Sequence, residues 1–459
     1  MSLNSESESY SSGDESINIT KRLLDEEEEY DGTISSTMTR SWVQNISIHV
    51  PVLVSTIFMD RKRPHGGSQP GRKYIKRDRK ERHDVIIKDY FKGKESKYPS
   101  DKFRRRFRMD VQLFNRILHA IEKHDSYFTL KVDAVGRSGL SPLQKMLAAL
   151  RMLAYGCPAD QLDEYVQVGE STAIECLQHF CEAIIKIFED EYLRRPNQRD
   201  VNRLLKEGEE RGFPGMLGSL DCMHWAWNNC PTAWHGAFVN GFKRTPTLIL
   251  EAVASRNLWI WHAFFGMAGT NNDITVLNRS TLFDDLISGV APSCPFVVNG
   301  HHYDMGYYLY DRIYPPYATL IQSISSPYTE KERTFAKFQE SARKDVERAF
   351  GVLQSRWSIV KGPARMWNIK DLGNIMKTCI ILHNMIIESE TSQGIDPEDW
   401  RPFMENKIPN VSLERDPAVV VSKMIKKLKE VKSTSLHKDL KADLIDHVWN
   451  WQGATKFVF

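Results

Sequence analysis

From about residue 85 to 205, apolar side chains recur three and four positions apart, the spacing of helices with one buried face. Leu113, Phe114, Ile117, Leu118 and Ile121 form one stripe, and Leu143, Met146, Leu147, Leu150 and Leu153 form another. Ser141 before Pro142 predicts the start of the second helix, because a hydroxyl can accept from orphan amides and proline suits the first turn. That helix should stop near Gly156-Cys157-Pro158. A short helix over 160–165 follows, then a turn at Gly169-Glu170 and a longer helix capped by Ser171. Its buried face carries Ile174, Leu177, Cys181, Ile184, Ile185 and Phe188. This is the layout of a helix-turn-helix DNA-binding unit, and an ordinary helical bundle shares it.

The period changes near residue 214. Met216 to Leu220 is a short apolar run ending at Asp221, and Thr247–Val253 and Leu258–Phe265 are two more strand candidates. Turn residues separate the three, which suits an antiparallel meander. Asn271-Asn272-Asp273 then caps a helix to about Leu286. Phe296–Val298 and Tyr307–Tyr310 are further strands, the latter ending at Asp311. A long helix from about Thr329 to Trp357 keeps Phe335, Phe338, Ala342, Val346, Phe350 and Leu353 on one face. A last apolar helix holds Ile375, Ile380, Leu382 and Met385. The pattern is α/β, with a sheet that begins antiparallel behind an all-α region.

Composition adds little until charge is followed along the chain. The net charge of the 459 residues is only +3, but residues 61–108 hold 19 Lys/Arg against 6 Asp/Glu. Such a segment attracts polyanions, and a solvated linker is the alternative. An acidic, Ser-rich stretch precedes it, and residues 1–84 read as a disordered tail. The basic runs at Arg61-Lys62-Arg63 and Arg72–Lys80 fit a nuclear localisation signal, with the cytoplasm as the second compartment. The seven cysteines show neither Cys-x-x-Cys nor zinc spacing and fit reduced thiols. The mixed stretch 43–59 is too short to span a bilayer, so no membrane partner is expected.

Asp221 and Asp311 stand after apolar strands, and Glu347 sits in the long helix. A charge beside a buried strand is costly unless something holds it. Two-metal phosphodiester chemistry needs such acidic oxygens, and Mg²⁺ prefers a few carboxylates plus water. Each acid alone has a structural alternative: for Glu347 it is an ion pair with Arg343 one turn away. Asp273 is either a metal ligand or a helix cap. Asp284, Asp285, Asp304 and Asp345 read as surface or turn acids. His224 is placed either on phosphate or in the core, and His262 and His383 read as core histidines. Lys243 and Arg244 are candidate DNA phosphate contacts, or an exposed hairpin tip.

Several motifs together resemble plant-type PIF/Harbinger transposases. They are Gly218-Ser219-Leu220-Asp221-Cys222-Met223-His224-Trp225, Asn229–Trp234, Trp261–Gly266, Asn272–Leu277, Gly306–Leu309, Ala342–Gly351 and Ile381-Leu382-His383-Asn384-Met385. The likeness covers roughly 85–390. It implies an RNase H-like (DDE) catalytic core, with Asp221, Asp311 and Glu347 as catalytic acids and metal ligands and Asp273 as a further metal ligand. The 35 residues between Asp311 and Glu347 suit that triad. Arg312 departs from the glycine usual after the second acid.

The resemblance also implies cleavage of duplex DNA at terminal inverted repeats, Mg²⁺ (or Mn²⁺) as cofactor and a separate Myb/SANT-like DNA-binding partner. A homo-oligomer is compatible with it. The chain then divides into a tail over 1–84, a helix-turn-helix-like region over 85–205, a nuclease domain over 206–390 and a charged helical region over 391–459. The competing functions are a domesticated DNA- or chromatin-binding protein that no longer cuts, and an RNA-directed phosphatase or nuclease.

Overall fold

Side-chain caps set six of the α-helix starts among the described residues. The computed structural model describes residues 75–241, 244–311, 314–392 and 417–455. Most of the tail read over 1–84 therefore lies outside the described residues. Helix α1 (Arg79–Tyr90) starts before residue 85, because the Asp78 carboxylate accepts from the Glu81 amide. Helices α2 (Ser100–Phe107), α3 (Val111–His124) and α4 (Pro142–Tyr155) follow. At α4, Ser141 and Gln144 make a reciprocal capping box, as the sequence predicts.

Then come α5 (Leu162–Val166), α6 (Glu170–Tyr192) and α7 (Gln198–Glu209). The cap of α6 is Gly169 and not Ser171: the chain turns into the helix two residues sooner, and the Ser171 hydroxyl is already inside the first turn. Helix α6 is buried along most of its girth, through Ala173, Cys176, Leu177, Phe180, Ala183, Ile184 and Phe188. Its exposed stripe presents Glu175, Glu182 and Asp190 against Lys186. That is the wrong sign for a helix entering a DNA groove, so this segment weighs toward the bundle alternative.

The sheet follows. Strands β1 (Met216–Ala226), β2 (Thr247–Ala254) and β3 (Ile260–Ala268) pair antiparallel, as the meander reading requires. Strand β1 runs six residues longer than its apolar start, because Met223 and Trp225 continue the buried alternation. At Gly218 a side chain would strike the Ala254 carbonyl, with 2.8 Å to an added Cβ. The short helix α8 (Asp273–Arg279) ends well before Leu286, and a separate turn of helix covers Asp284–Ser288. Strands β4 (Phe296–Val298) and β5 (His301–Tyr303) form a side hairpin. Strands β6 (Tyr307–Tyr310) and β7 (Leu320–Gln322) complete the main sheet in the order β3-β2-β1-β6-β7, with β1–β6 and β6–β7 parallel.

Helix α9 (Glu330–Arg356) starts where the sequence places it, with Thr329 as its cap, and lies against β1, β2 and β6. Two buried hydrogen bonds fix it. The Ser219 hydroxyl donates to Ala342 O at 2.9 Å, and the Gln339 amide donates to Tyr310 O and Ile321 O, both at 3.1 Å. Asp345 of α9 is fully buried, unlike the surface or turn acid expected, and pairs with Arg211 and Arg348. An unpaired carboxylate could not stay charged there.

Helix α10 (Ile369–Ser392) packs on α6 and β3. Buried Asn384 donates to Tyr192 O at 2.7 Å and Ile260 O at 2.8 Å, and accepts from Ile260 N at 3.0 Å. It therefore ties helical layer to sheet. Beside it His383 is a core histidine, as read from the sequence. Its Nε2–H donates to Leu258 O at 2.9 Å, leaving Nδ1 to accept from Arg356 at 3.4 Å. Helix α11 (Pro417–Val431) precedes α12 (Thr434–Thr455). Leu440, Leu444 and Val448 of α12 join Phe213, Met216, Tyr307 and Phe335 in a common core, so this part of the charged C-terminal region is structural.

Burial, with the Arg356 charge adding, pulls His383 from 6.5 down to about 3. The folded value lies below the unfolded one, so this contribution is complete above pH 6.5 and is lost as pH falls toward 3. His383→Gln should be less stable at neutral pH but should flatten the acid limb by about one proton, roughly 1.4 kcal/mol per pH unit. Denaturant melts between pH 7.5 and 5 check this. An unchanged slope would contradict it. Gln339→Leu strands two buried carbonyls and should cost about 2 kcal/mol in the same melts.

Candidate functional site

Asp221 lies in the middle of β1 rather than past its end, because the strand continues to Ala226. Its end is held by Trp225, which donates to Gly362 O at 2.8 Å, and Trp227 just beyond, which donates to Met366 O at 2.9 Å. Parity places Asp221 on the α9 face with Ser219. Asp221 Oδ1 accepts from the Cys222 amide at 2.8 Å, and Oδ2 stands 3.9 Å from Arg343. Arg343 also reaches Glu347 at 2.6 Å, so the ion pair foreseen as the alternative for Glu347 is present. One guanidinium therefore bridges the first and third acids.

Asp311 follows β6 directly, as expected. Ser219 is the partner of Leu309, the last pair of the parallel β1–β6 register, and Asp221 on β1 and Asp311 just past β6 each stand two residues beyond it. At backbone level the two acids thus form one row on neighbouring segments.

Asp273 is not the helix cap: Asn272 is, accepting from Thr275 N at 2.8 Å. Asp273 sits in the first turn, where the Cys222 thiol favours its charged form. Cys222 alternates to the sheet face opposite Asp221 and packs with Ile249, Val276 and Met267. Its thiol lies 3.3 Å from the Tyr314 hydroxyl, and burial pushes the thiol far above its usual range.

On that same face is a residue sequence reasoning missed. Glu251, opposite Cys222 on β2, is fully buried. Its Oε1 is 3.3 Å from His262 Nε2, which also meets Ser280 Oγ at 3.0 Å, while Oε2 has no hydrogen-bond partner among the described residues. The available signal was a lone charge inside the apolar run Thr247–Ala254, which buried-charge energetics flags.

The acids feel one another. Burial raises the Asp221 carboxyl to about 6, with Glu347 and Asp273 pushing the same way and the Cys222 amide and Arg343 opposing. Burial also raises Asp273, helped by Glu251 and Asp311. Adjacent negative charge on both sheet faces is what a cation would relieve. The donors are oxygens, the chemistry that hard divalent ions prefer. Among the described residues no three carboxylates, cysteines or histidines close to metal-binding distance, and Arg343 supplies the positive charge between Asp221 and Glu347.

The other candidates stand apart. His224 is satisfied by Thr247 Oγ1 at 3.0 Å and Asn240 at 3.3 Å. Lys243 lies outside the described residues. Arg244 is exposed, with positive φ, in the turn before β2. Strand β2 starts opposite Ala226, five residues along β1 from Asp221, about 17 Å at strand rise. Arg244 therefore does not line the acid row. Arg312 also lies outside the described residues. No described helix is long and apolar enough to cross a membrane.

Known proteins resemble the part of the chain that carries these acids. A family model described as plant transposon protein matches residues 190–394, from the end of α6 through α10. A domain of unknown function matches 83–122, within α1 to α3. The "Protein ALP1-like" of Arabidopsis thaliana is 24% identical over 283 residues, covering 59% of this chain and 67% of that protein. The "Putative nuclease HARBI1" of Bos taurus is 21% identical over 255 residues, covering 54% and 68%. No solved structure matches. The region that builds the sheet and both acid-bearing faces is similar to a plant transposon protein, and the chain resembles Harbinger-derived proteins of the transposase kind.

Proposed function

We propose that the chain is a metal-dependent DNA endonuclease of the transposase kind. Its catalytic acids are Asp221, Asp311 and Glu347, with Asp273 as a further ligand candidate. The observation that carries the reading is the parallel pair Ser219–Leu309, which sets Asp221 and Asp311 two residues beyond it on neighbouring segments, with Arg343 linking Glu347 to Asp221. Three antiparallel strands, then two parallel ones, under a helix bearing the third acid support an RNase H-like core. The name of the bovine relative points the same way.

Asp221 and Asp311 would hold Mg²⁺ or Mn²⁺, completed by Glu347. Two such ions, when bound, supply activation of the attacking water or 3′-hydroxyl and stabilisation of the leaving oxygen. The chain's own residues supply position. Strand pairing sets the spacing of Asp221 and Asp311, and Arg343 orients Glu347 and offsets its charge. Duplex DNA is the substrate and a Myb/SANT-like protein the partner that completes recognition, both resting on the resemblance, and the nucleus is the compartment, resting on the basic runs over 61–80.

The second reading is a DNA- or chromatin-binding protein that has ceased to cut. Arg343 favours it, since its guanidinium already contacts two of the acids and offsets one unit of their charge.

Cleavage of a duplex carrying terminal inverted repeats separates the two, with Mg²⁺ and the DNA-binding partner supplied. Wild type should cut, and Asp221→Asn and Glu347→Gln should each lose at least about 100-fold while still binding. Binding without cutting by wild type would establish the second reading.

A further inference from the structure

Beside the acid row, α9 carries a different surface. Arg333, Lys337, Ser341, Lys344 and Arg348 are exposed and recur at four-, four-, three- and four-residue steps, one face of the helix. They border a groove of about 690 Å³, to which Arg211 adds a guanidinium and Glu340 the single carboxylate among its lining residues. The stripe spans about 22 Å at helical rise. Glu347 lies one turn beyond Lys344 and next to Arg348, so the stripe ends at the third acid.

The charges are not balanced alike. Arg333 pairs with Glu330 at the far end. Arg211 and Arg348 share the one buried carboxylate of Asp345, leaving a net positive charge with both guanidinium groups held at the rim. A guanidinium braced from below keeps outward N–H groups for a second anion. Lys337 and Lys344 have no ion pair among the described residues. Surface cations meant only for solubility are usually interspersed with acids. Here they run in file toward a site proposed to cut phosphodiesters.

We propose that this groove holds the sugar-phosphate backbone of the DNA strand leading into the acid row, with Lys337, Lys344 and the braced Arg211–Arg348 pair on successive phosphates. It rests on the nuclease reading and names the surface that presents its substrate. A strand advances 3.4 Å per nucleotide along the duplex axis, so about 22 Å spans roughly six nucleotides. The contacts are to phosphate and carry no sequence preference. That matches a catalytic domain that leaves sequence recognition to another protein.

The test is fluorescence anisotropy of the full chain with a labelled random-sequence DNA duplex across a salt series, without divalent metal. Lys337→Gln/Lys344→Gln is compared with Lys426→Gln/Lys429→Gln, a pair of equal charge change on α11. Both pairs are exposed, and circular dichroism melts confirm that each variant folds. The stripe variant should bind roughly tenfold more weakly at moderate salt, and its log–log salt slope should be shallower by about two. The α11 variant should match wild type. Equal loss in both variants, or none in the stripe variant, would overturn the groove proposal and leave the nuclease reading standing. A wild type that binds no duplex at low salt would overturn both.

Discussion

One buried hydrogen bond sets the phase of the whole site. The Ser219 hydroxyl donates to Ala342 O inside the contact between β1 and α9. Two residues on from Ser219 is Asp221. One and five residues on from Ala342 are Arg343 and Glu347. With that register fixed, Arg343 has both acids within reach. The Gln339 amide does the same on the other side, tying α9 to the carbonyl of Tyr310, immediately before Asp311. Rotating the helix by one residue would turn Glu347 away by about 100° and break both contacts.

The sheet makes the other half of the constraint. An antiparallel meander brings β1 to the middle, where a parallel neighbour can pair with it on its free edge. Parallel pairing of the first part of β1 with β6 brings two acids from distant sequence to the same level of the sheet. The same strand alternation divides the titratable groups. Asp221 faces α9, while Cys222, Glu251 and Asp273 gather on the α8 face with His262 and Tyr314. Burial first, and then this crowding of acids, raises the Asp221 and Asp273 carboxyls, and one buried Glu251 oxygen has no hydrogen-bond partner among the described residues. Active sites commonly carry perturbed groups of this sort.

Much of this was legible from spacing alone. The meander, the Thr329 start of the long helix and the placement of Asp311 after β6 follow from periodicity and caps. Asp221 was chosen as a strand-end residue, and the strand instead runs on through it, because Met223 and Trp225 stay buried while polar Cys222 and His224 find partners on the other face. The cap at α6 moved from Ser171 to Gly169, since glycine leaves the choice of first turn to tertiary packing. Asp345 looked like a surface acid because its partner Arg211 lies 134 residues away, and no local pattern shows such a pairing. Glu251 escapes local reading for the same reason: its histidine partner comes from β3 and is itself held by Ser280 at the end of α8. Local rules found the elements, and the exceptions are long-range polar contacts.

The central claim is that Asp221 and Asp311 act together as the seat of a divalent cation. A thermal melt titrated with Mg²⁺ or Mn²⁺ tests it without needing substrate or partner. A ligand that binds only the folded chain raises its stability by about 1.4 kcal/mol at ten times its dissociation constant. The account predicts a saturable rise in melting temperature for wild type that is lost in both Asp221→Asn and Asp311→Asn. An absent rise in wild type, or an equal rise in the variants, would contradict it.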